Sequence, residues 1–131
     1  MVSETSTKLL DIYSFSHITH GVLYFLILVH ILKIDFWNGL ILSILFEIIW
    51  EKIENTQYII KKYRNKYKNY RGDTNINIFG DILCSIIGYI LSYQYGKKNI
   101  NMLLFYILIS EILLYKYDAN LYQLSIGSLM Q

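Results

Sequence analysis

Two histidines and a series of carboxylates are the side chains through which this sequence could do chemistry. His17 and His20 stand three apart in Ser16-His17-Ile18-Thr19-His20-Gly21, so on a helix they share a face. Glu47, Glu51 and Glu54, within Glu47-Ile48-Ile49-Trp50-Glu51-Lys52-Ile53-Glu54-Asn55, fall inside an arc of about 60° on a helix. Asp73, Asn77 and Asp81 make an i, i+4, i+8 row if their helix begins near Gly72. Imidazoles with carboxylates form the ligand set of Zn, Mn or Fe, and carboxylates with amides that of Mg or Ca. A divalent metal ion is therefore the expected cofactor, with His17, His20, Glu47, Glu51, Glu54, Asp73, Asn77 and Asp81 as candidate ligands. Glu51 and His20 are the first choices for catalysis, the carboxylate as ligand or general base and the imidazole as ligand or proton shuttle. Ser16 and Asn77 are candidates for orienting them. No phosphate-binding glycine loop, Gly-x-Ser-x-Gly elbow or His-Glu-x-x-His motif is present.

The elements that position these groups follow from hydropathy. Of 131 residues, 54% are hydrophobic and only 17% charged, a balance tilted away from a water-soluble globule. A helix of roughly 20 apolar residues crosses a bilayer core of about 30 Å. Stretches near 15–34, 36–55, 76–95 and 100–117 have this character. Their short connections, around Asp35 and over Gly96 to Asn99, imply antiparallel hairpins. The expected fold is all-α, a transmembrane bundle of about four antiparallel helices forming one membrane domain over 1–131. A soluble bundle would need a polar outer face on every helix, and Val22 to Val29 or Phe105 to Leu114 offer none. Trp37, Trp50 and the tyrosines suit interfacial anchoring.

With four spans, both termini and the 56–75 connection share one side of the membrane. Nine cations collect there: Lys8, Lys52, Lys116 and the six of the acid-free segment 56–72 (Lys61, Lys62, Arg64, Lys66, Lys68 and Arg71). Lys33, Lys97 and Lys98 mark the other side, so the termini are expected to face the cytoplasm. The protein is then integral to an inner membrane if bacterial, or to a host or virion membrane if viral. Segment 56–72, with Tyr63, Tyr67 and Tyr70 between its cations, suits an interfacial helix on anionic lipid headgroups, and nucleic acid is not an expected partner. The first sixteen residues lack a signal-peptide pattern, and the first apolar segment is expected to remain in the mature chain. The lone Cys84 excludes an intramolecular disulfide and lies in an apolar run that suits packing.

That threading delivers the histidines, the glutamates, Asp73, Asp81, Asp118 and Asn120 to one membrane face. Glu47 then lies about 12 Å from the end of its helix, too deep for a short side chain to reach water easily. So many carboxylates cannot all stay ionised in low dielectric, and either protons or cations must balance them. His30, near the far end of the first span, suits an interfacial role; Glu111, mid-way along the fourth, joins the network or is neutral alone. Gly80 and Gly88 suit close helix contact.

The sequence resembles a family of small bacterial multi-pass membrane proteins of unknown function, of the DUF/UPF type common in alphaproteobacteria. The matching motifs are the Ser16–Gly21 and Glu47–Asn55 segments, Tyr58-Ile59-Ile60 through Tyr63-Arg64, and Gly72-Asp73-Thr74-Asn75-Ile76-Asn77 with Asp81 and Gly88. Asp118-Ala119-Asn120-Leu121 matches a last motif more weakly, so that residues 13 to 125 are covered in order. Lys61-Lys62 replaces the usual Ile-Asp pair, and the family's prolines are missing, as befits an AT-rich or viral relative. The resemblance implies four spans and a polar site, and supplies no reaction.

Three function classes follow. The first is a membrane enzyme whose His/Glu/Asp site at the cytoplasmic interface, with or without a metal, acts on a lipid-like substrate. The second is a non-catalytic structural or assembly subunit of a membrane complex or virion, in which the polar cluster only fixes helix packing. The third, an ion or proton pathway, needs polar groups in both bilayer halves, and the outer half offers only His30 and Glu111.

Overall fold

At one end of this chain's helices small and polar residues are buried and many large apolar ones face outward, while the other end has an apolar core. The computed structural model describes residues 7–66 and 71–117. Helix α1, Ser14–Tyr24, runs on into π-helical turns over Phe25–Ile31. Helix α2 spans Phe36–Glu54 and α3 Gln57–Lys66. Helix α4, Asn75–Leu91, continues as π-helical turns over Ser92–Gly96, and α5 is Ile100–Tyr115. The described residues are all-helical apart from turns and contain no strand.

Two of these helices are long and apolar enough to cross a membrane, Ser14–Ile31 with 18 residues and Asn75–Gly96 with 22. Helix α2 has 19 residues, but its last turns carry Glu47, Glu51, Lys52 and Glu54. Helix α5 is apolar and only 16 residues long. The expected interfacial segment 56–72 contains α3, whose Ile59 and Ile60 are buried while Tyr58 is exposed under the Lys62 ammonium. Tyr67, Lys68 and Tyr70, like Asp118 and Asn120, lie outside the described residues.

Local signals set the helix ends. The Asp35 carboxylate accepts from the backbone N–H groups of Trp37 and Asn38, both at 3.1 Å, and so starts α2. These bonds, that of Asn38 foremost, hold Asp35 below the usual carboxylate range. Its stabilising effect is present above the ordinary carboxylate pKa and is lost as pH falls through the lower folded value. Just before it, Lys33 closes the α1–α2 turn at φ 59°, in the left-handed region that favours glycine. Lys33→Gly is expected to raise the thermal unfolding midpoint in detergent by relieving about 1 kcal/mol of that strain. The sequence row expected from Gly72 onward does not form as such. Thr74 is extended, at ψ 159°, and its hydroxyl accepts from the Asn77 N–H at 3.3 Å. Helix α4 therefore begins at Asn75, and Asp73 precedes it in irregular backbone rather than lying on the Asn77–Asp81 face of the helix.

Helix α1 packs chiefly on α4. The two backbones touch: a Cβ at Gly21 would lie 1.9 Å from the Ser85 carbonyl oxygen, and one at Gly88 2.1 Å from that of Ile18. Only hydrogen side chains allow this approach, which brings the histidine face of α1 against Asp81. At the opposite end the core is apolar and aromatic, formed by Val22, Phe25, Leu26, Tyr89 and Leu103. There Tyr89 donates from its hydroxyl to the Phe36 carbonyl at 2.8 Å, tying α4 to the start of α2.

The outward faces are apolar. On α2 the buried row is Gly39, Ser43, Glu47, Glu51 and Glu54, while Ile41, Leu45, Phe46, Ile49 and Ile53 are exposed. Helix α4 repeats the arrangement, with Asn77, Asp81 and Ser85 inside and Ile76, Phe79, Leu83 and Ile87 outside. Each of these half-exposed side chains leaves unrealised part of the stabilisation, about 1.5–3 kcal/mol, that full burial contributes.

Candidate metal centre

Glu47 is the hub of the polar end. It is fully buried on the inner face of α2 and accepts from three donors of α1, one helical turn apart. His17 Nδ1 bonds its Oε1; His20 Nδ1 lies 3.0 Å and Tyr24 Oη 2.9 Å from Oε2. With both imidazoles donating from Nδ1, each keeps Nε2 as a free acceptor, the nitrogen a metal requires. Carboxylate partners of this kind fix the tautomer and ring orientation of ligating histidines.

The next turn of α2 carries Glu51. Its side chain is 3% exposed, and neither carboxylate oxygen has a hydrogen-bond partner. Its Oε1 lies 3.5 Å from His17 Nδ1, and the Nε2 of the same ring lies 3.5 Å from Asp81 Oδ2. Asp81 is held from behind by the Ser14 hydroxyl at 2.9 Å. Three overlapping groups offer ligand atoms within 4.8 Å of one another: His17, His20 and Glu47; His17, Glu51 and Asp81; Glu51, Glu54 and Asp73. Metal–ligand bonds of about 2.0–2.3 Å can draw together atoms so spaced. Among the described residues, Glu47, Glu51 and Asp81 form ion pairs with the two histidines, and none of these three carboxylates pairs with a lysine or arginine. The donor types and the unpartnered buried carboxylate fit a divalent cation.

Asp73 reaches the group from its irregular segment. Gly72, at φ 96°, lets the chain reverse, and the Asp73 N–H donates to Asn55 Oδ1 at 2.7 Å while Asn55 Nδ2 donates back to the Asp73 carboxylate at 3.3 Å. Asn55 thus pins the segment to the end of α2. Asn77 faces elsewhere: its amide donates to the Lys8 carbonyl at 2.7 Å and to Asp11 at 3.1 Å, fastening the segment before α1. Ser16 does not orient His17; its hydroxyl bonds the Tyr13 carbonyl at 2.7 Å.

Sequence reasoning missed Tyr24, Ser14 and Asp11. Burial pushes Asp11 above the usual carboxylate range in spite of its hydrogen bonds to the Ser14 and Tyr13 N–H groups and to Asn77. The fold therefore favours its neutral form, a contribution present at low pH and lost as pH rises through the elevated value. Trp50 was expected as an interfacial anchor. It is partly buried, its ring meets that of His20 edge-on at 5.5 Å, and its indole N–H is buried without a partner. Trp37 is 71% exposed. His30 is exposed and Glu111 partly buried; neither belongs to the three groups. Cys84 is buried as a free thiol.

The sequence profile of a family described as "Protein of unknown function (DUF2585)" matches residues 1–126. The chain belongs to this family. Among curated proteins it is similar to the "UPF0314 protein" of Brucella anthropi, 32% identical over 101 residues that cover 75% of this chain and 52% of that one. The "UPF0314 protein" of Paracoccus denitrificans is 34% identical over 95 residues, 70% of this chain and 49% of the relative. That of Sphingopyxis alaskensis is 34% identical over 91 residues, with 67% and 48% covered. The chain therefore spans about half the length of the curated relatives it matches. No solved structure matches it. Membership agrees with the resemblance to an uncharacterised family of the DUF/UPF type, and these family names assign no reaction to the cluster.

Proposed function

We propose that this chain is a four-span membrane protein whose polar end binds a divalent cation and acts on a lipid-like substrate at the cytoplasmic interface. One observation carries the reading: a carboxylate, Glu51, is buried with neither oxygen in a hydrogen bond, within ligand reach of His17 and Asp81. Burying a charged group without hydrogen bonds costs several kcal/mol, and we read a bound cation rather than a proton as the compensation because Glu51 shares ligand reach with an imidazole and a second carboxylate. A divalent cation held there supplies Lewis-acid polarisation of a carbonyl or phosphoryl oxygen.

The side chains divide the remaining work. Glu47 fixes both imidazoles. His17, Asp81 and Glu51 form the ligand set. His20, at 12% the most exposed of the two histidines and their glutamate partner, stands where an arriving substrate can exchange a proton. The unpartnered Trp50 N–H beside it can donate to a substrate oxygen. Outward-facing Phe46, Ile49 and Ile53 on the same stretch of α2 support an acyl chain as the apolar part of the substrate. The short α5 fits a fourth span if the bilayer thins locally or Tyr115 and Tyr117, both exposed, anchor its end.

Elemental analysis of protein purified in detergent without chelator tests the reading. Stoichiometric Zn, Mn or Fe is expected in the unmodified chain, falling at least 10-fold in Glu51→Gln and in His17→Gln. Metal-free protein whose cellular role survives both Glu51→Gln and His20→Ala would instead establish a packing network.

A further inference from the structure

Beyond the His17 site, the end of α2 brings together a second, oxygen-only ligand group. Glu51, Glu54 and the Asp73 carboxylate present oxygens within 4.8 Å of one another, with no imidazole among them. Acidic clusters occur without ions, and what sets this one apart is Glu51: 3% exposed, without a hydrogen bond to either oxygen, and common to this group and the His17–Asp81 group. A carboxylate has two oxygens, and one that belongs to two adjacent ligand sets can give one to each.

We propose that the centre is dinuclear, with Glu51 bridging a cation held by His17 and Asp81 and a second cation held by Glu54 and Asp73. This rests on the reading of the cluster as a cation site. The second position takes a hard cation, Mg, Mn or Ca, because its ligands are all carboxylate oxygens; the first, with imidazole, takes Zn, Mn or Fe. Charge supports two ions over one. The ligands of the two positions include four carboxylates, Glu51, Glu54, Asp73 and Asp81, whose negative charges two divalent cations offset where one offsets half of them. The Asn55–Asp73 pair explains how a loop carboxylate is held in register with a helix, which a second ion requires. A pair of cations can clamp both the attacking and the leaving oxygen of a phosphoryl group, and beside the outward apolar residues of α2 the substrate class we infer is a phosphate ester or anhydride with a lipid tail.

Manganese distinguishes the alternatives, since it suits both positions. Metal-free protein in detergent is titrated with Mn(II), and bound ion is followed by electron paramagnetic resonance. The expected result is two equivalents, with the six-line signal of the first broadened or lost as the second binds beside it. Glu54→Gln and Asp73→Asn should each bind one equivalent with an uncoupled signal, and Glu51→Gln should lose at least 10-fold in affinity for both. One equivalent in the unmodified chain, with Asp73→Asn indistinguishable from it, overturns the second position and leaves the first intact. Two equivalents with uncoupled signals overturn the bridge. No binding overturns the cation reading itself. Circular dichroism of each variant shows whether the helices remain, and loss of both ions in a helical Asp73→Asn overturns its assignment to the second ion alone.

Discussion

Glu47→Ala is expected to lower the unfolding free energy in detergent by about 3–5 kcal/mol. Three donors converge on this carboxylate, from His17, His20 and Tyr24, and Glu47 itself is fully buried. Removing the acceptor leaves all three without partners in a low dielectric, where each orphaned group costs about 1–3 kcal/mol. Relaxation and water entry return part of that sum. Glu47→Gln should recover some of the loss: its amide oxygen still accepts, but its NH2 faces donors. Thermal or denaturant unfolding of the purified variants gives the difference. A cost below about 1 kcal/mol for Glu47→Ala would mean that the three donors have other partners.

Glu51→Met is expected to act in the opposite direction. In the metal-free protein the substitution removes a buried carboxylate with no hydrogen-bond partner, and a flexible apolar side chain fills its volume. The expected gain is about 1–3 kcal/mol of stability, with cation binding abolished. A residue that costs stability and supplies no packing advantage is the pattern of a site held for function. Lower stability in the metal-free variant would show that Glu51 has a structural partner. Adding metal should stabilise the unmodified chain, by mass action, and leave Glu51→Met unchanged.

Much of this was legible in the sequence, for a physical reason. An acid within an apolar helix must face other polar groups, so Glu47, Glu51 and Glu54 at helical spacing already indicated an interior polar stripe opposite outward Ile and Leu. His17 and His20 followed from the same spacing. The position of Asp73 was not legible, because residues 73–77 hold several competing helix starters, and Thr74 rather than the region around Gly72 wins the N-cap. The roles of Ser14 and Tyr24 depend on how closely α1 approaches its neighbours, which the glycine contacts of Gly21 and Gly88 decide in three dimensions. Trp50 reads as an anchor by type alone; only the packed structure turns its ring onto His20. The π-helical turns at the ends of α1 and α4 have no sequence signature that sets them apart from ordinary helix.

X-ray absorption at the metal edge of the Mn- or Zn-loaded protein tests the central claim most directly. The account predicts a first shell containing imidazole nitrogen together with carboxylate oxygen, with the nitrogen contribution disappearing in His17→Gln. A shell of water and carboxylate oxygens alone, unchanged by that substitution, would contradict it.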